Sequence, residues 1–279
     1  MPGYYLHADN ARQALEALAQ GQTQVRLSMD LNRSFGEYRL SDEGLILDER
    51  SRLSADRLRE IARKTRTIFL FDAGELEPLE DRTSGYYKLV PTDGAPLLEI
   101  SGVKMHISKG IDPFESASAM AAQAVRRGDR VLDCCSGLGY AAIAARRLGA
   151  REVLTVELSP LVMALRARNP WSQELDAEGI VQMQGSSFEL IGTLPDASFD
   201  ALVHDPPRFS LAGELYGEAF YREIFRVLRR GGRLFHYTGN PHRVKKGSSF
   251  VDGVVRRLKA AGFKKVDKVE KLMGVSAQK

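Results

Sequence analysis

The second part of the chain alternates between strands and helices. From about residue 112 onward, short continuous apolar runs alternate with longer segments in which apolar residues recur at helical spacing. Parallel strands need crossover connections, so this alternation predicts an α/β fold with a doubly wound sheet and ligands at the carboxyl ends of its strands. The predicted strands are residues 130–134, 152–157, 180–184, 201–204 and 233–237, with a terminal pair near 264–272 and 274–277. The predicted helices are residues 113–127, 140–148, 160–168, 217–229 and 249–261.

The preceding residues have a different pattern. Short alternating runs, such as residues 25–29 and 37–40, are separated by glycines and predict short strands. Helices are predicted over residues 9–20, with Asp9 as the N-terminal cap, and over residues 54–65. We therefore expect a smaller α+β domain over 1–111, followed by the α/β domain over 112–279.

Composition excludes several classes of protein. Of the 279 residues, 43% are hydrophobic and 27% are charged, as in a globular chain of one or two domains. No window reaches the roughly 18 consecutive apolar residues of a membrane-spanning helix, and the first residues lack a signal-peptide pattern, so we expect a cytoplasmic protein without a membrane partner. Cys134 and Cys135 are the only cysteines, and the five histidines lack metal-ligand spacing. We expect neither a disulfide nor a metal site.

A glycine-rich turn follows the first strand of the second domain. Asp133 ends that strand, and Ser136, Gly137 and Gly139 form the turn that opens the next helix. Glycines allow a ligand to approach backbone N–H groups closely. Glu157 ends the second strand, where a carboxylate can accept hydrogen bonds from both hydroxyls of a ribose. The turn has neither the three glycines of the dinucleotide pattern nor the Lys-Ser/Thr of a phosphate-binding P-loop.

These residues resemble two motifs of the class I S-adenosylmethionine-dependent methyltransferases, acidic-x-x-x-Gly-x-Gly and an acidic residue at the end of the second strand. The resemblance covers roughly residues 112–279 and implies a Rossmann-like fold with S-adenosyl-L-methionine as cofactor. It places the turn near the methionine part, Glu157 on the ribose and Leu158 beside the adenine. Serines stand where the family often has an acidic residue after the third strand, so adenine recognition would pass to Ser187 and the backbone of Phe188. The cofactor-binding residues implied in this way are Asp133, Ser136, Gly137, Gly139, Glu157, Leu158, Ser187, Phe188 and Asp205.

A proline-rich loop follows the fourth strand. Two prolines after Asp205 cannot continue a central strand, which predicts a rigid loop at the carboxyl edge of the sheet. Asp205-Pro206-Pro207 resembles the Asp/Asn-Pro-Pro-aromatic loop of methyltransferases that act on planar nitrogens. The resemblance implies that Asp205 and the following carbonyl, at Pro206, accept hydrogens from the target amine. Arg208 stands where the stacking aromatic residue would be, and Phe209 follows it.

His236 and Tyr237 end the fifth strand at the same rim. A neutral imidazole can orient an acceptor or remove a proton near neutral pH, so both residues are predicted to be catalytic together with Asp205 and Pro206. The alternative, that His236 only hydrogen-bonds to backbone at a strand end, stays open. The domain over 1–111 is expected to form part of the acceptor site.

Other resemblances bear on the function. An Asp-Pro-Pro-basic-Phe loop is also similar to that of certain ribosomal RNA methyltransferases, but covalent methylation of a cytosine carbon needs a cysteine, and none follows Cys135. Residues 215–223 and 227–232 resemble a region of spermidine synthases, which would use decarboxylated S-adenosylmethionine. Leu202 stands where that family has an acidic residue. The second domain as a whole most resembles a group of methyltransferase-like proteins common in archaea.

The functional prediction is a methyltransferase that uses S-adenosyl-L-methionine to methylate a nitrogen of a small-molecule or RNA acceptor. An aminopropyltransferase, or a non-catalytic cofactor- or RNA-binding module, is the alternative. Charge bears on the partner, because residues 222–279 carry 16 Lys and Arg against 4 Asp and Glu. Such a region could bind a polyanion or could coat the solvated faces of helices, and we favour the second interpretation. Lys245 and Lys246 follow the fifth strand and are predicted to hold an anionic acceptor.

Overall fold

The computed structural model describes residues 3–239 and 247–279. The chain divides into two units. The first comprises the residues up to Pro113 together with Ala167–Trp171, and the second comprises Phe114–Arg166 and Ser172–Lys279. Lys245 and Lys246 lie outside the described residues.

The first unit consists of short strands and short helices. In chain order they are β1 (Tyr4–Leu6), α1 (Ala8–Ala19), β2 (Gln24–Leu27), β3 (Gly36–Ser41), β4 (Gly44–Ile46), β5 (Arg52–Ser54), α2 (Ala55–Arg63), β6 (Phe69–Asp72), β7 (Glu75–Pro78), β8 (Glu80–Asp81), β9 (Tyr87–Val90), β10 (Leu97–Ile100) and β11 (Val103–Lys104). The strands pair antiparallel in the orders β1-β6-β7, β2-β3-β4-β5 and β11-β10-β9-β8. Leu27, Leu45, Leu58 and Ile61 are fully buried in its apolar core. The predicted α+β class of this part is confirmed.

The cap of α1 differs from the prediction. The helix begins at Ala8 and its N-cap is His7, so the assignment of Asp9 as the cap is wrong. The Nδ1 atom of His7 accepts a hydrogen bond from the N–H of Asp9 at 3.4 Å, and the side chain of Asn10 accepts one from the N–H of His7 at 2.9 Å. This reciprocal pairing satisfies the backbone N–H groups of His7 and Asp9 at the start of the helix.

The second unit alternates strands and helices. Its elements, starting with the helix at the boundary, are α3 (Pro113–Ala124), β12 (Arg130–Asp133), α4 (Tyr140–Arg147), β13 (Glu152–Glu157), α5 (Pro160–Ala167), β14 (Ile180–Gln184), α6 (Ser187–Leu190), β15 (Phe199–His204), α7 (Glu218–Val227), β16 (Leu228–Tyr237), α8 (Gly247–Ala260), β17 (Lys264–Val269) and β18 (Gly274–Gln278). Short 3-10 helices cover Pro170–Asp176, Ile191–Thr193, Gly213–Tyr216 and Glu270–Leu272.

These strands form one sheet in the order β14-β13-β12-β15-β16-β18-β17. The strands from β14 to β16 in this order pair parallel, which confirms the predicted Rossmann-like doubly wound sheet. The terminal pair departs from a purely parallel sheet, because β18 inserts antiparallel between β16 and β17. β12 lies between β13 and β15, so the strand order reverses at β12, and its carboxyl end is the edge where such sheets bind ligands.

One helix boundary moved for a reason visible in the sheet. Residues 217–229 are predicted as a helix, but α7 ends at Val227 and β16 already starts at Leu228. Leu228 pairs with Phe199 on β15, across a register shift that precedes Ala201. Strand pairing therefore overrides the helical periodicity that Leu228 and Arg229 continue in the sequence.

Within the ranges that the structure describes, no helix combines the length and apolar character needed to span a membrane. Over the same ranges, no cluster of three or more His, Cys, Asp or Glu side chains has an arrangement suited to a metal ion.

Candidate active site

The glycine turn connects β12 to α4. Gly137 and Gly139 have φ values of 52° and 80°, in the left-handed region that favours glycine. A Cβ atom on Gly139 would lie 2.3 Å from Cδ1 of Leu175, so packing also requires glycine there. A Cβ atom on Gly137 would meet no atom within 4 Å. The backbone at Gly137 therefore faces open space that a ligand can occupy.

Glu157 is bonded to this turn from the neighbouring strand. Its Oε2 atom accepts a hydrogen bond from the N–H of Gly137 at 2.8 Å, and its Oε1 atom accepts one from the N–H of Ser159 at 2.9 Å. Burial raises the pKa of Glu157, while these backbone N–H groups and Arg166 oppose the rise. Each carboxylate oxygen has a second lone pair, so Glu157 retains the capacity to accept ribose hydroxyls.

Asp133 lies under the turn at the end of β12 and is only 1% exposed. Its Oδ2 atom accepts a hydrogen bond from Oγ1 of Thr155 at 2.7 Å, and Thr155 also lies 2.7 Å from Oγ of Ser136. The Oδ1 atom has no hydrogen-bond partner among the described residues. Burial raises the pKa of Asp133 to about 6. This unsatisfied acceptor fits a donor group supplied by a ligand or a water molecule.

Arg166 contacts the glycine turn, although no sequence motif indicates it. It lies on α5, is 3% exposed, and donates from its NH1 atom to Oγ of Ser136 at 2.8 Å. Burial lowers the pKa of its guanidinium, and Glu157 and Asp133 oppose that shift. A buried arginine needs such carboxylates nearby. Two carboxyl groups and one guanidinium therefore lie at the turn. No motif marks Arg166, because an arginine near the end of a helix is ordinarily solvated.

Two partly exposed apolar side chains follow β13 and β14, the strands on one side of β12. Leu158 is 67% exposed and Phe188 is 42% exposed. The ring of Phe188 stacks on Phe220 with centroids 6.1 Å apart, which fixes its plane. The hydroxyl of Ser187 donates to the carbonyl of Cys134, so its hydrogen is used within the protein. Leu158 and Phe188 thus offer apolar surfaces suited to a flat ring.

The Asp205-Pro206-Pro207 loop follows β15, the other neighbour of β12. Asp205 is half-buried, and burial followed by the charge of Asp133 raises its pKa to about 7. Pro206 is buried, and the hydroxyl of Tyr216 donates to the carbonyl of Pro207 at 2.9 Å. This bond and the two proline rings hold the loop in one conformation.

The aromatic residue of this loop is displaced by one position, as the sequence indicates. Arg208 is exposed, and Phe209 is 54% exposed with its edge packed against the rings of Tyr216 and Phe250, each 5.7 Å away between centroids. Phe209 is therefore held in place by two aromatic neighbours while part of its ring remains accessible.

His236 does not reach the open surface of the site. It is fully buried, with Nε2 2.9 Å from the hydroxyl of Tyr221 and Nδ1 3.3 Å from the carbonyl of His204. Burial lowers its pKa, and His204 adds to that shift. Direct contact with an acceptor would require the ring to leave both partners. Tyr237 is half-buried at the end of β16.

His204 is a second residue that the sequence reasoning passed over. It precedes Asp205, pairs in register with His236, and has its ring centroid 4.5 Å from that of His236. Nε2 lies 3.0 Å from the carbonyl of Leu215, whereas Nδ1 is buried and finds no partner in the described part of the chain. Burial lowers the pKa of His204 to about 4, so both histidines are neutral at physiological pH.

Comparison with known proteins identifies the class. The family described as a methyltransferase domain matches residues 132–236, from the second half of β12 into the end of β16. The fold, the glycine turn and this match define an S-adenosyl-L-methionine-dependent methyltransferase, with S-adenosyl-L-methionine as its cofactor.

One relative matches most of this chain. The uncharacterized protein MJ1233 of Methanocaldococcus jannaschii is 42% identical over 275 residues, which are 95% of this chain and 93% of that protein. The chain belongs to the same family as MJ1233.

More distant relatives share only part of the molecule or its fold. Ribosomal RNA large subunit methyltransferase I of Aeromonas hydrophila is 28% identical over 179 residues, which are 58% of this chain and 44% of that protein. The chain therefore spans less than half the length of this relative. A spermidine synthase solved with a transition-state analogue has a TM-score of 0.60 at 14% identity, covering 71% of this chain and 72% of its own, and it shows the fold alone.

The residues at the carboxyl edge fit this cofactor. Gly137 leaves space at a backbone turn, Asp133 presents an unsatisfied acceptor for an ammonium group, and Glu157 can accept from a diol. Leu158 and Phe188 offer exposed apolar surface for a heterocycle. These acceptors and apolar surfaces are chemically compatible with the ammonium, diol and planar parts of an adenosyl amino acid.

Proposed function

We propose that this methyltransferase transfers a methyl group to a nitrogen atom of a small-molecule or RNA acceptor held at the Asp205-Pro206-Pro207 loop. The observation that carries the proposal is the position of Asp205. It follows β15, directly beside β12, whose carboxyl end opens into the glycine turn. A carboxyl group at that place adjoins the cofactor residues and remains partly exposed to an incoming acceptor.

The cofactor would be held by the residues around the turn. S-adenosyl-L-methionine supplies an electrophilic methyl group. Glu157 binds the ribose hydroxyls, and Asp133 with Ser136 and the backbone of Gly137 and Gly139 binds the amino-acid part. Apolar side chains and backbone groups would hold the adenine. The residues assigned to the adenine are Leu158, Ser187 and Phe188.

Asp205 would act on the acceptor nitrogen. Its carboxylate accepts a hydrogen bond from the N–H group and so directs the nitrogen lone pair toward the reacting carbon, while the carbonyl of Pro206 accepts a second hydrogen. Alignment of this kind supplies much of the rate of a reaction whose electrophile is already activated. A carboxyl group with a pKa of about 7 can also receive the proton that the nitrogen loses, because its ionised and protonated forms are both populated near neutrality.

The remaining predicted residues would support this role. Tyr237 ends β16 at the same edge, and His236 would act through its bonds to Tyr221 and to the carbonyl of His204. The contribution of residues 1–111 to acceptor binding is part of the same proposal.

Two observations bear on an RNA acceptor. The similarity to a protein named as a ribosomal RNA methyltransferase favours RNA. The basic C-terminal region favours RNA less than its charge suggests, because several arginines in it form ion pairs with acidic side chains. These arginines are Arg226 with Asp196 and Glu223, Arg229 with Asp200, and Arg233 with Asp129.

The aminopropyltransferase alternative rests on the shared fold with spermidine synthases. Leu202, at the position of that family's additional acidic residue, is fully buried in β15 and offers no carboxylate. A comparison of binding to intact and decarboxylated S-adenosylmethionine separates the two functions. Stronger binding of the decarboxylated form would favour aminopropyl transfer.

The test of the proposal is transfer of a labelled methyl group from S-adenosyl-L-methionine into separate pools of RNA, polyamines and small amines. Asp205→Asn should reduce transfer by about 100-fold or more, because general base and orienting groups contribute factors of that size. Asp196→Asn is the control, since Asp196 is a surface partner of Arg226. Mass spectrometry of the product locates the methyl group, and a product methylated on carbon or oxygen would contradict the nitrogen assignment.

A further inference from the structure

A short segment of the chain leaves the second unit and returns to it. Arg166 and Ser172 belong to the second unit, whereas the five residues between them, Ala167–Trp171, belong to the first. The segment begins at Ala167, the last residue of α5, and the peptide chain joins it to Arg166 at one end and to Ser172 at the other.

Hydrogen bonds within the first unit hold this segment. The hydroxyl of Tyr5 donates to the carbonyl of Arg168 at 2.8 Å. The indole Nε1–H of Trp171 donates to the carbonyl of Leu31 at 2.7 Å. These bonds fix the backbone near the middle of the segment and the side chain at its end.

Charged side chains add to this attachment. The guanidinium of Arg33 donates to the carbonyl of Pro170 and lies 5.9 Å from the ring centroid of Trp171. Glu77 forms an ion pair with Arg168. Polar contacts therefore hold Arg168, Pro170 and Trp171.

The loop that receives Trp171 is itself held in an unusual conformation. Leu31 and Asn32 both have positive φ values, 56° and 65°, which residues other than glycine adopt only when their surroundings enforce it. The carboxylate of Asp30 accepts hydrogen bonds from the N–H groups of Arg33 at 3.1 Å and Ser34 at 2.8 Å, which closes the loop. The carbonyl of Leu31 consequently has a fixed direction.

Both residues that flank the segment contact the glycine turn. Arg166 donates to Oγ of Ser136 at 2.8 Å, and the hydroxyl of Ser172 donates to the carbonyl of Leu138 at 2.7 Å. Ser136 and Leu138 are the two neighbours of Gly137, and Arg166 and Ser172 are each 3% exposed. The segment is thus tied to the turn on both sides of the residue that faces the ligand space.

We infer that the first unit sets the conformation of the cofactor-binding turn through Ala167–Trp171, so that Tyr5 and Trp171 are positioning residues for cofactor binding. This inference rests on the proposed role of the Gly137 turn in binding S-adenosyl-L-methionine. Arg166 and Ser172, which flank the segment, bond to the turn, whereas the segment itself bonds to residues of the first unit. A displacement of the segment must therefore displace Arg166 or Ser172. By linkage, a ligand that orders the turn must also tighten the segment.

The test compares two adjacent tyrosines of β1. Tyr5→Phe removes the bond to Arg168. Tyr4→Phe is the matched control, because it removes a bond of the same 2.8 Å length from the hydroxyl of Tyr4 to Asp48, which does not involve the segment. Calorimetry with S-adenosylhomocysteine, well below both melting temperatures, should show binding about two- to tenfold weaker for Tyr5→Phe and unchanged for Tyr4→Phe, since one hydrogen bond contributes about that factor.

A spectroscopic readout separates positioning from general stability. Trp171 is the only tryptophan of the chain, so its emission reports on the segment. Titration with S-adenosylhomocysteine should change this emission in the wild type and in Tyr4→Phe, with a midpoint concentration equal to that from calorimetry. In Tyr5→Phe the midpoint should move to a higher ligand concentration. Trp171→Phe, which removes the bond to Leu31 and keeps an aromatic ring, should also weaken binding in calorimetry.

The outcomes distinguish this inference from the proposed function. If the wild-type protein does not bind S-adenosylhomocysteine, the cofactor assignment of the turn fails and the inference fails with it. If the wild type binds but Tyr5→Phe and Trp171→Phe bind as tightly as Tyr4→Phe, the cofactor assignment stands and the inference is overturned. Equal weakening in Tyr4→Phe and Tyr5→Phe, or an emission of Trp171 that is unchanged at saturation, also overturns it.

Discussion

The N–H of Gly137 donates to Oε2 of Glu157 at 2.8 Å, which joins the turn after β12 to the end of β13. The same carboxylate accepts from Ser159, so its two oxygens hold the start of the next segment as well. Substitution of Glu157 therefore affects both the shape of the turn and the acceptors available to a ribose.

Glu157→Gln should weaken binding of S-adenosylhomocysteine by about 1.5–3 kcal/mol, the typical contribution of hydrogen bonds to a charged group. Calorimetry measures this loss. Glu152→Gln is the matched control, because Glu152 starts the same strand and pairs with Arg130 at its opposite end. Equal affinities of Glu157→Gln and wild type would refute the ribose assignment.

Gly137→Ala should weaken ligand binding, whereas Gly139→Ala should lower stability. Both place alanine at a positive φ, which costs roughly 1 kcal/mol. The new Cβ at position 139 would also lie 2.3 Å from Leu175, so Gly139→Ala should lower the melting temperature strongly. At position 137 the Cβ enters open space, so Gly137→Ala should unfold close to wild type and yet bind S-adenosylhomocysteine poorly. Normal binding by Gly137→Ala would show that the ligand does not approach this backbone.

Asp205→Asn should change the pH dependence of stability. Burial raises the pKa of Asp205 to about 7, above its value near 4 in an unfolded chain, so the native state holds the proton more tightly. The resulting stabilisation is complete below about pH 4 and is lost as pH rises through about 7. The amide carries no such proton, so Asp205→Asn should gain melting temperature relative to wild type between pH 5 and about pH 8, at roughly 2–4 °C per kcal/mol. If the difference in melting temperature between Asp205→Asn and wild type were the same at pH 5 and pH 8, the raised pKa of Asp205 would be contradicted.

His236→Ala should act mainly on stability. It removes a fully buried ring and the hydrogen bond between that ring and the hydroxyl of Tyr221, so a loss of about 2–4 kcal/mol is expected. Affinity for S-adenosylhomocysteine should stay within a few-fold of wild type, and methyl transfer should fall less than in Asp205→Asn. Denaturant unfolding and the labelled transfer assay measure these effects. A transfer rate as low as that of Asp205→Asn with unchanged stability would instead indicate direct contact with the acceptor.

RNA binding should be weak at physiological salt and should depend only shallowly on salt concentration. Each neutralised phosphate releases counterions and steepens the dependence, but Arg226, Arg229 and Arg233 already pair with acidic side chains. Binding of a structured RNA measured across a salt series tests this expectation. The prediction that these residues coat helix faces is wrong for Arg229 and Arg233, which lie on β16. A steep slope would favour RNA as the acceptor and would contradict our expectation that the basic residues only cover the solvated surface.

Local sequence was sufficient to predict the glycine turn and the strands that precede and follow it. Gly137 and Gly139 punctuate a strand and a helix, and their positive φ values are a property of the backbone that few other residues share. Asp133 and Glu157 end strands whose apolar runs are continuous in the sequence, so the parallel order and the carboxyl edge follow from alternation alone. This is why the doubly wound sheet and the turn at its carboxyl edge could be predicted, while the assignment of that turn to the cofactor stays a prediction.

Tertiary structure decided what depends on distant partners. Asp133 and Glu157, at the ends of two strands, oppose the lowering of the pKa of buried Arg166, and nothing in the sequence next to Arg166 indicates them. His236 stands at a strand end in the sequence, but packing of Tyr221 and His204 around it removes it from the surface. Periodicity sets which face of an element is apolar, whereas long-range packing sets which residues cover that face. The hydrogen bonds of Tyr5 and Trp171 also depend on long-range packing, because their partners are far away in the sequence.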